Sequence, residues 1–387
     1  MKKIITILMV QCLLAGLFYS CDTTPKGNGQ NEIYIVADVS LSGGKVKYGE
    51  QVWNGLLLSK DTLESLGVKI IREDNKSSEN STKQKFNLYA DRNDVLLVLT
   101  NNSPLSKAAR QDAENAEITQ IAMVAGDVEL CFNKERGEYY QWVFRDAIMQ
   151  DQEAAVFAPV ILSDSSIKTI SMLGVSDGYG TEGMSYLEKE IQQRNPNINI
   201  IKATFNNNTE DFNTMIEDQL RSNPDAFYFA GRESNINAYV KQLRKKLMKN
   251  GLDKPIYVCD AFDDEDVLNS LQDYAKGVVF ASYFNDFDNP EGQAFLKLYR
   301  DTYEKNPGIY AVDAYVCGQY IVKLVSEGNR TTEAFNKAME TMTFDSPIKG
   351  HLQVVNHSVI SNVALYRINE KGEKELVYKP ELSISEE

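Results

Sequence analysis

Positive charge is scarce in this chain of 387 residues: 41 Lys and Arg stand against 55 Asp and Glu, for a formal net charge of −14. That balance argues against a nucleic-acid partner, which needs a basic surface to release counterions. The acidity otherwise bears on solubility. Histidine is scarcer still, with only His351 and His357. No H-E-x-x-H, C-x-x-C or EF-hand spacing occurs, so no metal site is expected. The dinucleotide fingerprint and the GxxxxGK[ST] loop are also missing, and no cofactor is expected. Five cysteines are present. Cys12 and Cys21 fall in the N-terminal segment, and Cys131, Cys259 and Cys317, being odd in number, cannot all pair. Cys259 closes an apolar strand and Cys317 lies in an apolar helix, so both read as small buried hydrophobes.

One apolar run stands out, at the N-terminus. Met1-Lys2-Lys3 is a short basic start, Ile4 to Phe18 is apolar with an interruption at Gln11, and Ser20 places a small residue before Cys21. The run is too short to span a bilayer comfortably. It reads as a secretion signal of the lipoprotein kind over residues 1–20, cut before Cys21, whose thiol then carries lipid. Lipoprotein signals usually have Leu and then a small residue where this chain has Phe18 and Tyr19, so a plain secretory signal is the alternative. Either one puts a large body outside the cytosol. Residues 21–31, rich in Gly, Pro and Asn, form the linker to it.

The remaining length suggests two lobes rather than one core. Short apolar runs alternate with amphipathic ones. The first strand candidates are Ile33 to Val39, Val68 to Arg72, Val95 to Leu99 and Ile118 to Val124. A second set follows: Thr169 to Leu173, Ile198 to Phe205, Ala226 to Phe229, Pro255 to Cys259 and Gly277 to Ala281. Unbroken runs such as Val95-Leu96-Leu97-Val98-Leu99 suit strands buried on both faces of a parallel sheet. Between them Phe212, Met215, Ile216 and Leu220 keep a helical period, as do Ile236, Tyr239, Val240, Leu243 and Leu247. The alternation predicts an α/β fold, two doubly wound parallel-sheet lobes joined by hinge crossings. No clear period appears from Glu135 to Gln150, a natural place for the chain to cross between lobes. The tail from Gly350 to Tyr378 reads as strands, with a turn at Asn369-Glu370-Lys371-Gly372.

Four motifs bear on chemistry. Val39-Ser40-Leu41-Ser42-Gly43-Gly44 follows the first strand and Tyr48-Gly49 opens a helix; such a turn cradles an anion or is simply a flexible connection. Ser103-Pro104 is a good helix start, and its free N–H groups and hydroxyl also make a carboxylate site at the end of a parallel strand. Gly174-Val175-Ser176-Asp177-Gly178 matches the G-x-S-x-G elbow of α/β hydrolases, with Asp345 and then His351 and His357 in the required order. Against it, the elbow's helix should begin at the serine. Asp260, Asp263, Asp264, Glu265 and Asp266 form an acidic stretch after a strand, read as a solvated loop or helix N-terminus.

In this order the residues resemble the type I periplasmic binding proteins, in the Leu/Ile/Val- and amide-binding branch of solute receptors. Leu41-Ser42-Gly43 with Tyr48-Gly49 looks like the family's first-strand signature. Ser103 with Ser106 and Ala108 is similar to its serine-rich helix start, and Phe144-Arg145 to its crossing. Asp177-Gly178-Tyr179-Gly180, Asp211-Phe212 and Tyr310-Ala311 with Asp313-Ala314-Tyr315 resemble later family motifs. The resemblance spans roughly residues 32 to 350. It implies two lobes closing on a small ligand, with residues 32–145 and 283–350 in the first and 146–282 and 351–380 in the second. It further implies that Ser103 holds an α-carboxylate, that the Ala125 carbonyl and Asp260 take the ammonium, and that Tyr179 reaches over from the second lobe. Tyr48 and Tyr283 or Phe284 would wall the apolar side. Two positions depart from the family pattern. Gly126 stands where a Thr or Ser hydroxyl is usual, and Arg232 is placed to bind a second acidic group or to pair Asp260. The implied function is a non-enzymatic, lipid-anchored receptor delivering an amino acid or amide to the permease of an ABC importer. The alternatives are a regulatory lipoprotein of the cell-wall synthase activator kind, which binds a protein, and, remotely, a Ser176 hydrolase.

Overall fold

The computed structural model describes residues 32–127 and 129–380. The signal, Cys21 and the linker lie outside the described residues. In chain order the strands are β1 (Ile33–Val39), β2 (Val68–Asp74), β3 (Val95–Asn101), β4 (Thr119–Met123), β5 (Phe132–Asn133), β6 (Glu138–Tyr139), β7 (Val143–Asp146), β8 (Thr169–Val175), β9 (Asn199–Phe205), β10 (Ala226–Ala230), β11 (Ile256–Val258), β12 (Val278–Tyr283), β13 (Thr343–Ser346), β14 (Gly350–Val355), β15 (Ser358–Ile360), β16 (Val363–Ile368) and β17 (Lys374–Tyr378). One sheet has the order β13-β14-β15-β7-β4-β3-β1-β2 and the other β17-β16-β12-β11-β10-β8-β9, with β5 and β6 forming a separate hairpin.

The two lobes repeat one plan. The parallel parts run β2-β1-β3-β4-β7 and β9-β8-β10-β11-β12, so the strand order reverses between β1 and β3 and again between β8 and β10. At such a switch point the connections leave in opposite directions and a crevice opens beyond the carboxyl ends of the strands. The sequence pattern explains which strands lie where. β3 and β4 are buried at every residue, as unbroken apolar runs require when helices cover both faces. β2 and β9 end the parallel parts and show partial exposure along their length. In the second lobe Phe205, Phe212, Phe229 and Tyr239 pack ring against ring, with Phe229 and Tyr239 stacked 4.1 Å apart. Cys131, Cys259 and Cys317 are all free and buried.

Two expectations need correction. The segment Glu135 to Gln150, which shows no clear period, does contain a crossing between lobes, after Asp146, but it also carries β6 and β7. β7 is short and ends in Arg145-Asp146, both buried, so its apolar signal is too brief to read. The division at residue 350 is also displaced. Residues 351–360 pair in the first sheet rather than with the second lobe: β14 and β15 form a hairpin through Asn356 and His357, both at positive φ, and β15 then lies parallel to β7. The chain crosses between sheets after Asp146, after Tyr283 and between Ile360 and Val363.

A buried polar cluster ties these three crossings together. The Lys349 ammonium pairs with Asp313, and both side chains are only 1% exposed. It also lies 3.8 Å from the centre of the Tyr283 ring. The Tyr283 hydroxyl accepts from the Ile148 N–H at 2.8 Å, and Tyr320 donates to Asp146 at 3.1 Å. Asn362, in the third crossing, donates to the Lys349 carbonyl at 3.3 Å. Burial, with the Asp313 charge beside it, pushes the Asp146 carboxyl up to about 8. One cation therefore serves two carboxyl groups, of which one keeps its proton at neutral pH. Lys349→Met leaves the buried Asp313 without its cation and is expected to lower the unfolding free energy by about 3–5 kcal/mol in urea titrations; a loss under about 1 kcal/mol would show that the cluster relaxes freely.

Candidate ligand-binding site

Each lobe aims a tyrosine at the other by the same device. In Tyr48-Gly49 and Tyr179-Gly180 the glycine lets the helix press against the end of its lobe's first strand. A Cβ on Gly49 would stand 2.0 Å from the Ser40 carbonyl oxygen, and one on Gly180 would stand 2.3 Å from that of Val175. Only glycine permits that approach. The preceding tyrosine is thereby carried to the carboxyl ends of the strands. Tyr48 sits in the helix Val46–Leu57 and Tyr179 in the helix Gly178–Arg194, which Asp177 caps by accepting from the Gly180 N–H at 3.2 Å.

Polar contacts fix the lip of the first lobe. The Ser40 hydroxyl donates to Asn75 at 2.8 Å and the Ser40 N–H to Asn101 at 2.9 Å, tying the ends of β1, β2 and β3 together. Asp74 accepts from the N–H groups of Leu41 and Lys76, at 2.9 and 2.8 Å. The Lys45 N–H donates to the Ser77 hydroxyl at 2.9 Å, which orients the glycine-rich turn. From that turn the Lys45 ammonium donates to the Asn102 side chain at 2.6 Å. Ser103 begins the helix Ser103–Ala116, with Pro104 in its first turn, and its hydroxyl accepts from the Asp127 N–H at 3.4 Å. Asn102 (φ 75°) and Val124 (φ 52°) both hold left-handed backbone here. For a β-branched residue this is a strained conformation of the kind that gathers at binding sites.

The opposing lip is acidic. Tyr179 donates its hydroxyl to Asp260, and the Asp260 N–H donates to Glu153 at 3.2 Å. Burial, with the Asp260 charge beside it, holds Glu153 well above the usual carboxylate range. Burial also raises Asp260, against the hydrogen bonds from Tyr179 and Glu153 that lower it. Both acids are thus pushed towards their protonated forms, Glu153 the more strongly. Arg232 begins the helix Glu233–Lys249, stacks 4.4 Å over the Tyr179 ring and pairs with Asp177 at 3.0 Å, not with Asp260. The lobes touch where the Tyr48 hydroxyl meets both Glu233 oxygens, at 2.6 and 2.7 Å, and where Lys47 reaches Asp264 and Asp266, at 2.6 and 2.8 Å. Asp264 also caps the helix Glu265–Leu271, so the acidic stretch is in part the expected helix N-terminus.

Between the lips lies a cavity of about 700 Å³. Of the residues singled out in the sequence, Tyr48, Ser103, Gly126, Tyr179, Arg232, Asp260 and Tyr283 line it. Ala125 is buried behind its neighbours and Phe284 packs against the second core, so neither is among the lining residues. At Gly126 a Cβ would stand 2.8 Å from the Ile148 carbonyl oxygen, which explains why no hydroxyl-bearing side chain occupies that position. Lys45, Gln150 and Glu233, which the sequence reading passed over, also line the cavity. Gln150 is 3% exposed and its Oε1 has no partner within the protein. No local pattern marks it, because it follows the first crossing and faces the cavity only once both lobes are in place. Among the described residues no group of acids, histidines or cysteines is arranged to hold a metal ion.

A family model described as periplasmic binding protein matches residues 32–373. The chain belongs to the periplasmic binding protein family. Its type I fold is shared with solved structures. A leucine-binding protein, LivK, of Thermotoga maritima is 17% identical, with TM-score 0.76, over 90% of this chain and 99% of that one. A branched-chain amino acid transporter substrate-binding protein, LivJ, of Streptococcus pneumoniae, in complex with isoleucine, is 20% identical with TM-score 0.75 over 90% and 100%. A solute-binding protein of an ABC transporter of Rhodopseudomonas palustris BisB5, in complex with 3,4-dihydroxybenzoic acid, is 19% identical with TM-score 0.76 over 91% and 98%. No protein of curated function matches the sequence significantly.

In this periplasmic binding protein the elbow residues come apart. Ser176 follows the end of β8 in the second lobe, whereas His351 pairs with Asp345 at 2.6 Å across β13 and β14 in the first. His357 lies against Tyr139 and Phe144, also in the first lobe. The Ser176 N–H serves only to continue the pairing with β9, donating to Phe205 at 2.8 Å. The contacts across the cleft generate a test. Lys47→Ala combined with Tyr48→Phe removes both, each contributing about 0.5–1 kcal/mol, and should raise the open-to-closed ratio of ligand-free protein several-fold. Small-angle scattering would then give a larger radius of gyration than for the unaltered chain; an unchanged radius would mean the two contacts do not hold the lobes together.

Proposed function

We propose that this protein is a lipid-anchored, extracytoplasmic receptor that closes on a small polar ligand, an amino acid or amide, and hands it to the permease of an ABC importer. The observation that carries the reading is the arrangement of charge around the cavity. On the first lobe the N-terminus of the helix Ser103–Ala116 brings unpaired N–H groups and a hydroxyl, suited to a carboxylate. On the second lobe Asp260 and Glu153, with Tyr179 beside them, suit an ammonium. A zwitterion laid between them contacts both lobes and favours the closed arrangement over the open one by its differential affinity. The cavity volume of about 700 Å³ lies in the range of small-molecule sites. LivJ, with its isoleucine, supports an amino acid, whereas the dihydroxybenzoic acid of the Rhodopseudomonas palustris protein shows that the fold by itself does not select one. Anchoring rests on Cys21 and the preceding signal, and delivery on the importers to which the similar proteins belong.

A thermal-shift screen against amino acids, amides, short peptides and dicarboxylates tests the reading on protein freed of carried-over ligand by unfolding and refolding. A ligand that binds only the folded chain raises the melting temperature by mass action. Absence of a shift with every class would overturn the receptor reading in favour of the protein-binding lipoprotein. For the ligand so found, Ser103→Ala is expected to weaken binding by about 1–3 kcal/mol in calorimetry, because a buried carboxylate loses a donor; an unchanged affinity would remove Ser103 from the site.

A further inference from the structure

We infer that the ligand carries a second anionic group, held between Lys45 of one lobe and Arg232 of the other, so that the site selects an acidic amino acid over an aliphatic one. The inference rests on the receptor reading and names the ligand class for that same cavity. Lys45 is half-buried, and its ammonium is fixed by a neutral partner, the Asn102 side chain at 2.6 Å. Among the described residues no carboxylate lies within ion-pair distance of it. Burial and the nearby Arg232 charge hold the Lys45 ammonium below its usual range, so the two cations feel one another across the cleft. Arg232 is balanced on one edge by Asp177 at 3.0 Å, and its guanidinium is spread over the Tyr179 ring. Glu233 makes no ion pair with Lys45: its two oxygens share the one Tyr48 hydroxyl proton, at 2.6 and 2.7 Å, and it lies in the first turn of its helix, where the dipole offsets its charge.

Closure over a leucine-like side chain would therefore strip water from an ammonium that has no ion-paired carboxylate, Glu79 acting on it only through space, and would bring it up against a second cation. That is costly for a group out of water. A second carboxylate, or a phosphate, between Lys45 and Arg232 removes the repulsion and makes charge-assisted bonds to both lobes at once. The α-carboxylate does not need Lys45, because Ser103 and its helix already provide donors for it. Gln150, buried with an unpartnered Oε1, adds a neutral polar group to the same cavity. The arrangement discriminates as polar sites do, by leaving its own charged groups unpaired when the wrong ligand binds.

Calorimetry on the full-length protein, refolded free of ligand, would compare L-aspartate, L-glutamate and O-phospho-L-serine with L-asparagine, L-glutamine and L-leucine. The expected result is that at least one acidic compound binds about tenfold or more tighter than its neutral counterpart and than leucine. The carboxylates and the phosphoserine separate the two kinds of anion. Lys45→Met and, independently, Arg232→Gln should each bring the acidic-to-neutral ratio towards one. Equal or tighter binding of leucine or the amides overturns this inference while leaving the receptor reading in place, and assigns Lys45 to the α-carboxylate. Binding of none of the six overturns the inference whatever the variants do; the receptor reading then stands or falls by the broader thermal-shift screen.

Discussion

Everything the cleft does depends on three strand-to-strand crossings staying in register, and one buried cation holds them there. Lys349 is inserted between Asp313 and the Tyr283 ring, with Asp146 close by, and each crossing contributes a group to that cluster. A polar cluster in a dry interior is expensive to misplace, since a displaced partner leaves an uncompensated charge. The hinge therefore has a defined position about which the lobes turn. It is also continuous with the site. Tyr283 belongs to the cluster and to the cavity wall, and Ile148, which donates to it, lines the cavity too.

Around that hinge the fold turns the two switch points towards each other. Strand order alone opens a crevice at the carboxyl ends of β1 and β3 in one lobe and of β8 and β10 in the other. The tyrosine-glycine turns then bring a ring from each side. The consequence is a site with helix N–H groups and Lys45 on one lip and the acids Asp260, Glu153 and Glu233, with Arg232 among them, on the other. A ligand that matches both lips links the lobes, so affinity and closure are the same free energy seen from two sides.

Much of this architecture was legible in the sequence because it is written in local periods. The nine strand candidates all lie on strands of the two sheets, since each is an apolar run long enough to stand out from its flanking turns. β7 was not legible, being short and ending in a buried Arg and Asp whose partners come from elsewhere in the chain. Arg145 donates to Ser358 at 2.9 Å, a residue more than two hundred positions away. The same reason explains the misplaced boundary at residue 350: alternation shows that β14 and β15 are strands but not which sheet edge they join. In the site, the residues carried by motifs, such as Ser103 and Tyr179, line the cavity. Lys45, Gln150 and Glu153 have no motif, and only the approach of separate strand ends shows what they face. Gly126 looked like a lost hydroxyl; the Ile148 carbonyl beside it shows a steric requirement instead.

The central claim is that the cleft closes on a small polar molecule. Native mass spectrometry of the protein as purified, before any refolding, tests it most directly. The account predicts a mass increment of at most a few hundred daltons at one-to-one stoichiometry, released on denaturation and restored by adding the released compound back. A chain that carries no such increment, and acquires none when incubated with a mixture of amino acids, amides and organic acids, would contradict it.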